Sequence, residues 1–307
     1  MKTSALFVAC TLALIGGFVV AQPMGGPPVR IDRQVATCDL RTPITSLPFV
    51  ITSSGSYVVR QNLVGLVNEN GIMIEADNVT IDLGGWTLFG VPGSLDGIVG
   101  SSGLRRNITI LNGNVRDWNG DGIDLGNAIV SRIQSVHSES NGGRGLVIAE
   151  GGIAERCTAD SNAMVGILAL QSTVASCTAT HNMSAGMRIL SGSTARDCVS
   201  AFNDEQGFKL DDGSIAVSCV AEENVREGFQ SDGASGCALH TCTAWFNGIV
   251  GISIGEGVIE NCSVNSTNGI GIQGDESLIR GCVSLHNSGV DFDNLGDCDL
   301  YENKFPN

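Results

Sequence analysis

The sequence predicts an all-β chain wound into a single-stranded parallel β-helix of about ten coils, each 20–29 residues long, and three observations predict it. Cysteines recur as Cys157, Cys177, Cys198, Cys219, Cys242, Cys262 and Cys282, at intervals of 20 to 23 residues. Glycines that open an apolar stretch recur in step with them, as Gly122, Gly145, Gly166, Gly186, Gly207, Gly228, Gly251 and Gly271. Between these markers apolar and polar residues alternate over only a few positions, which is the period of short strands. A fixed period of this length marks units that bury their apolar faces by stacking on their neighbours.

Each coil divides into three strands. Strand one follows the glycine: in Gly207-Phe208-Lys209-Leu210-Asp211, Phe208 and Leu210 share one face while Lys209 and Asp211 share the other. Strand two precedes the cysteine and carries an apolar residue three places before it, as at Ala154, Val174, Ala195, Ala216, Leu239, Ile259 and Ile279. Strand three begins at the cysteine and places a small or β-branched residue two positions on, as at Ala159, Ala179, Ser200, Ala221, Ala244, Val264 and Ser284. A leucine-rich repeat has a similar period, but its L-x-x-L-x-L-x-x-N pattern is missing.

Residues one coil apart should lie about 4.8 Å apart along the axis. The cysteines then form a column inside the cylinder. Val136 holds the same place one coil earlier, so the column reads as small buried hydrophobes. A disulfide between Cys237 and Cys242, or between Cys38 and a partner, is the alternative, and the spacings oppose metal ligation. Asn141, Asn162, Asn182, Asn203, Asn224, Asn247 and Asn287 fall at the turn after strand three, where inward amides can bond the bent backbone and one another, with Thr267 as an interruption.

Outside the repeat, residues 1–21 read as a signal peptide, 22–45 as a leader, and 46–307 as the β-helix domain with N- and C-terminal caps. "LPFVITSSGSYVVRQNL" is the expected N-cap and "DNLGDCDLYENKFPN" the C-terminal one. The chain is expected to be a secreted or periplasmic monomer. A net charge of −15 excludes nucleic acid as a natural partner, and no later apolar stretch reaches membrane-spanning length.

The coil pattern, together with the entry "ITSSGSYVVRQNL…NGIMIEADNVTIDLGGWTL", resembles the right-handed parallel β-helix of the pectin-lyase-like superfamily, over residues 45 to 300. The resemblance implies a right-handed coil and a working surface on the outward face of strand one, with a polysaccharide or cell-surface glycan as partner. Outward positions there include Arg188, Lys209, Gln230, Asp211 and Asp232 on adjacent coils. These are the expected glycan-binding residues. Asp211 with Asp232 is the expected Ca²⁺ site, through oxygen ligands. If the chain is an enzyme, the resemblance to polysaccharide lyases makes Lys209 or Arg188 the group that neutralises a uronate or takes its C5 proton.

"NGDGIDLG" over 119–126 resembles the N-T-D-G-I-D stretch of polygalacturonase-type hydrolases, with Asp121 and Asp124 as the matching carboxylates. The G-H-G and R-I-K parts of that constellation are missing, and the alternative role is a turn. His137, His181, His240 and His286 occupy different phases of the repeat, so they are not expected to converge. No Met/His/Cys cluster supports copper. Binding of an extracellular polysaccharide is therefore the expected function, and a non-catalytic surface scaffold is the alternative.

Overall fold

Two large parallel sheets carry the chain in the structure, a computed structural model that describes residues 39–231, 236–295 and 299–301, with side chains up to Asp293. The sheet built from strand one has twelve strands, from Phe49–Ile51 to Phe292–Leu295, and so makes eleven coil-to-coil steps. Strands two and three together form a sheet of 22 strands. In the coil opened by Gly186 the three strands are Met187–Leu190, Thr194–Arg196 and Val199–Ala201. Each pairs in parallel with its equivalent one repeat on, as the period predicts: Arg188 lies opposite Lys209, Ala195 opposite Ala216, and Ser200 opposite Ala221.

The first strand, Thr42–Ile44, pairs with Tyr57–Val59 and lies inside the stretch read as leader. Phe49–Ile51 and Gly55–Val59, expected as a cap, join the coil ladders in register with Ile72–Ile74 and Val79–Asp82. The strand Val79–Asp82 pairs with Gly55–Val59 on one side and with Ile108–Leu111 on the other, so the stack begins earlier than the cysteine period suggests. The expected signal peptide and most of the expected leader, with Cys38, lie outside the described residues.

Corners are what turn three straight strands into a closed coil. Each corner rests on a residue in the left-handed region: Gln171 (φ 47°), Ser176 (φ 51°) and His181 (φ 54°) in one coil, Ser191 (φ 55°), Asp197 (φ 54°) and Phe202 (φ 57°) in the next. A side chain there costs about 1–2 kcal/mol. Stacking offsets that cost, because each corner N–H finds a carbonyl of the following coil, as from Ser176 to Arg196 (3.0 Å) and from Phe202 to Glu222 (3.1 Å). Val130 is the worst suited of these residues, being β-branched, 62 % exposed and held at φ 52°. Val130→Asn keeps the N–H that bonds Glu150 and relieves the strain, so it should raise stability by about 1 kcal/mol, read from the urea midpoint.

The interior explains the three periodic markers. Apolar side chains fill the cylinder, among them Phe208 and Phe229 on adjacent coils, stacked with ring centroids 4.8 Å apart and planes 6° from parallel. The asparagines form a buried ladder. In each step one Oδ1 accepts from the N–H and the amide of the asparagine before it, as Asn182 Oδ1 does from Asn162 (3.1 and 3.0 Å) and Asn203 Oδ1 from Asn182 (3.0 and 3.0 Å). The ladder begins beneath the buried Trp118, whose N–H donates to Asn141 Oδ1 (3.1 Å). Glycine is required because the asparagine of the next coil fills the space of its side chain. A Cβ on Gly207 would meet Asn224 Nδ2 at 2.7 Å and the Gly228 carbonyl at 2.7 Å.

The cysteine column sits just past the corner between strands two and three. Each thiol donates to the carbonyl two residues back, as from Cys177 to Ala175 (3.3 Å), Cys198 to Arg196 (3.2 Å) and Cys219 to Val217 (3.3 Å). A cysteine is thus both a small hydrophobe and a weak donor to a bent backbone. All eight described cysteines are free and buried, so Cys237 and Cys242 are not bridged to each other. The neighbouring thiol and burial push Cys177 and Cys198 well above the ordinary thiol range. Iodoacetamide should therefore leave both unmodified in the native protein and alkylate them in denaturant, as peptide mass mapping would show.

Candidate functional site

The outward face of strand one is assembled by register. Asp124, Val147, Leu168, Arg188, Lys209, Gln230, Ser253, Gln273 and Asp293 follow one another on consecutive coils. With strands about 4.8 Å apart, Arg188, Lys209 and Gln230 lie side by side, as the outward stripe of the sequence predicts. All three are half-buried against the sheet. Arg188 Nε and Gln230 Oε1 have no hydrogen-bond partner. Both atoms are buried, where polar atoms normally find a partner.

Asp211 stands at the end of its strand, where its N–H bonds the Ile189 carbonyl (3.0 Å) and its carbonyl receives the Ser214 N–H (3.2 Å). Asp232 lies outside the described residues. Among the described residues no group of three His, Cys, Asp or Glu side chains is placed to hold a metal ion. The pair Asp211 and Asp232 therefore rests on the sequence alone.

Upstream, the same face ends in a cluster of charges that the sequence only half disclosed. Asp96, Asp121 and Arg144 each stand one residue before the glycine that opens strand one, so they stack on three successive coils. Arg144 donates to Asp121 through its N–H (2.6 Å), Nη2 (2.6 Å) and Nε (3.0 Å), and lies 3.5 Å from Asp124. Asp96 Oδ1 accepts the Asp121 N–H at 2.7 Å. Burial, helped by the charges of Asp121 and Asp124, raises the Asp96 carboxyl above the usual carboxylate range; the Asp121 N–H and the charge of Arg144 oppose the shift. Asp124 also accepts the Gly126 N–H at 2.8 Å.

Both oxygens of Asp121 are thus engaged by Arg144, in an arrangement that braces a corner. Asp96 and Arg144 were absent from the expected site. Their signal was the repeated Asp-Gly-Ile of residues 96–98 and 121–123, followed one coil on by Arg144-Gly145. Farther along the same column Gln206 and Glu227 are buried and joined by a 3.0 Å hydrogen bond.

The histidines stay apart, as their phases predict. His181 Nδ1 lies 3.1 Å from Asp160, while His240 lies 3.2 Å from Glu260, which also binds Arg280. Hydrogen bonds hold the Asp160 carboxyl below the usual range in spite of its partial burial, donated by Thr180, His181 and Ser161.

Residues 97–244 match the family model described as a right handed beta helix region. No curated protein matches the sequence. Among solved structures, the A-module of the mannuronan C-5 epimerase AlgE6 of Azotobacter vinelandii superposes with a TM-score of 0.64 at 15% identity, covering 86% of this chain and 90% of that one. The A-module of AlgE4 from the same organism gives 0.56 at 15%, with 86% and 88% covered. The catalytic domain of an α-1,3-glucanase in complex with tetrasaccharides gives 0.56 at 11%, with 93% and 71% covered. Identities this low speak for the fold alone. The chain has the fold of a right-handed parallel β-helix.

Proposed function

We propose that this β-helix binds an extracellular polysaccharide, of the acidic class, across the outward face of strand one at Arg188, Lys209 and Gln230. The observation that carries the reading is the alignment of these three side chains on adjacent coils. A guanidinium and an ammonium one coil apart suit carboxylates that repeat along a polymer, and Gln230 suits hydroxyls. In a chain of net charge −15 this local pair of cations is what lets a polyanion approach. The likeness to structures named as a mannuronan epimerase and a glucanase supports a glycan partner. Asp211 with Asp232 supplies carboxylates for a Ca²⁺ bridge to the polymer. Secretion or export to the periplasm, and action as a monomer, complete the reading.

Binding is the proposed activity. The hydrolytic alternative at Asp121 and Asp124 is less well supported, because Arg144 holds both Asp121 oxygens.

Calorimetry with polymannuronate and polygalacturonate, with and without Ca²⁺, tests the reading, while ultraviolet absorbance would reveal any unsaturated product. Arg188→Ala and Lys209→Ala should each weaken binding about tenfold, or about 1.4 kcal/mol. Absence of binding to both polymers, or unchanged affinity in both variants, would remove this face from consideration.

A further inference from the structure

A second feature lies on a different edge of the coil. The corner after strand three carries a column of left-handed residues, and in four neighbouring coils that column reads His181, Phe202, Glu223 and Phe246. His181 and Phe202 are stacked, with ring centroids 5.3 Å apart and planes 8° from parallel. Two coils on, Trp245 and Phe246 pack against each other at 4.9 Å. Between the aromatic pairs stand Glu222 and Glu223, since Phe202 bonds the Glu222 carbonyl (3.1 Å), Glu223 bonds the Trp245 carbonyl (3.0 Å), and Glu222 lies opposite Trp245.

Phe202, Trp245 and Phe246 are 42–49% exposed. Aromatic residues make up only 5% of the chain, so their gathering at one edge is not a matter of abundance.

We infer that this corner is a second carbohydrate-binding strip, separate from strand one, which takes an uncharged polysaccharide: sugar rings stack on Phe202 and on Trp245–Phe246 while Glu222 and Glu223 accept their hydroxyl hydrogens. The choice of occupant follows from charge and shape. Aromatic faces carry negative potential and attract the weakly positive C–H bonds on one face of a pyranose. Two carboxylates between the platforms add acceptors for hydroxyl pairs and repel a polyanion, so a polyuronate is excluded here although it suits Arg188 and Lys209. Phe202 and Phe246 are two coils apart, about 9.6 Å along the axis, which is the order of length of a disaccharide in an extended chain. The rigid corner also holds the rings in place before binding, which limits the ordering cost.

The test is affinity electrophoresis in hydroxyethylcellulose and in a soluble β-1,3-glucan, with calorimetry on cellohexaose and laminarihexaose. Trp245→Ala and Phe246→Asn are the primary variants and Phe202→Asn the second, asparagine being tolerant of the left-handed corner. An unchanged urea midpoint shows that each variant is folded. Wild type should be retarded by at least one neutral glycan, and the folded variants should bind it at least tenfold more weakly while still binding polyuronate. Arg188→Ala and Lys209→Ala should leave neutral-glycan binding unchanged, so this strip and the strand-one reading can fail separately. The inference is overturned if no neutral glycan retards wild type or if the corner variants bind as wild type does. It is equally overturned if sedimentation equilibrium shows wild-type self-association that the corner variants lose, since the occupant is then a second copy of the chain.

Discussion

Asn203→Leu should lower stability by about 3–5 kcal/mol, which would place it among the most damaging single changes available in this chain. Asn203 is fully buried in mid-ladder. Its amide donates to the Ala179 carbonyl (3.2 Å), to Ser200 Oγ (3.1 Å) and to Asn224 Oδ1 (2.9 Å), and its Oδ1 accepts from both nitrogens of Asn182 (3.0 Å each). Leucine restores none of these bonds and leaves several buried polar groups without partners, at about 1–3 kcal/mol each before relaxation. The chain contains a milder version of the same break. Thr267 occupies a ladder position, and its Oγ1 is buried without a partner although its N–H still reaches Asn287 Oδ1 (2.9 Å). Urea denaturation would give the size of the loss, and amide exchange should show it concentrated in the coils on either side of residue 203, since each coil touches only its neighbours. A loss below about 1 kcal/mol would mean that the ladder is ornamental.

Phe229→Ala is the second large expectation, at about 3–5 kcal/mol. Phe229 is fully buried and stacked on Phe208, and its register partners in strand one are Phe208 and Ile252. Truncation leaves a cavity that hydrogen-bonded strands on both sides hold open, so little of the loss can be recovered by collapse. Phe229→Leu should cost clearly less, because it retains most of the volume. Thermal or urea unfolding of the pair would distinguish this packing account from one in which only chain hydrophobicity matters; equal destabilisation by both variants would contradict it.

Much of the architecture was legible because a coil stacks on itself: a fixed spacing in the chain is a fixed neighbour in space. The cysteine, asparagine and glycine periods placed Arg188, Lys209 and Gln230 in one outward row, and the paired strands put them there. The reason for glycine was not legible, since it lies in an asparagine amide one coil away, as at Gly207 beneath Asn224. The Asp96–Asp121–Arg144 cluster was only half legible: Asp121 was an expected site residue, but the bonds that join it to Asp96 and Arg144 run between coils. The aromatic corner was hidden for another reason. Phe202 and Phe246 hold positions that a strand-alternation pattern assigns to no face, and only the left-handed bend turns them outward.

Sequence alone determined the repeat, the parallel stacking and the identity of the interior columns, because local alternation and a constant period leave few other ways to bury these side chains. Tertiary structure decided which polar groups meet. Hydrogen bonds and ion pairs between coils depend on angstrom-scale corner geometry, and spacing along the chain does not encode that geometry.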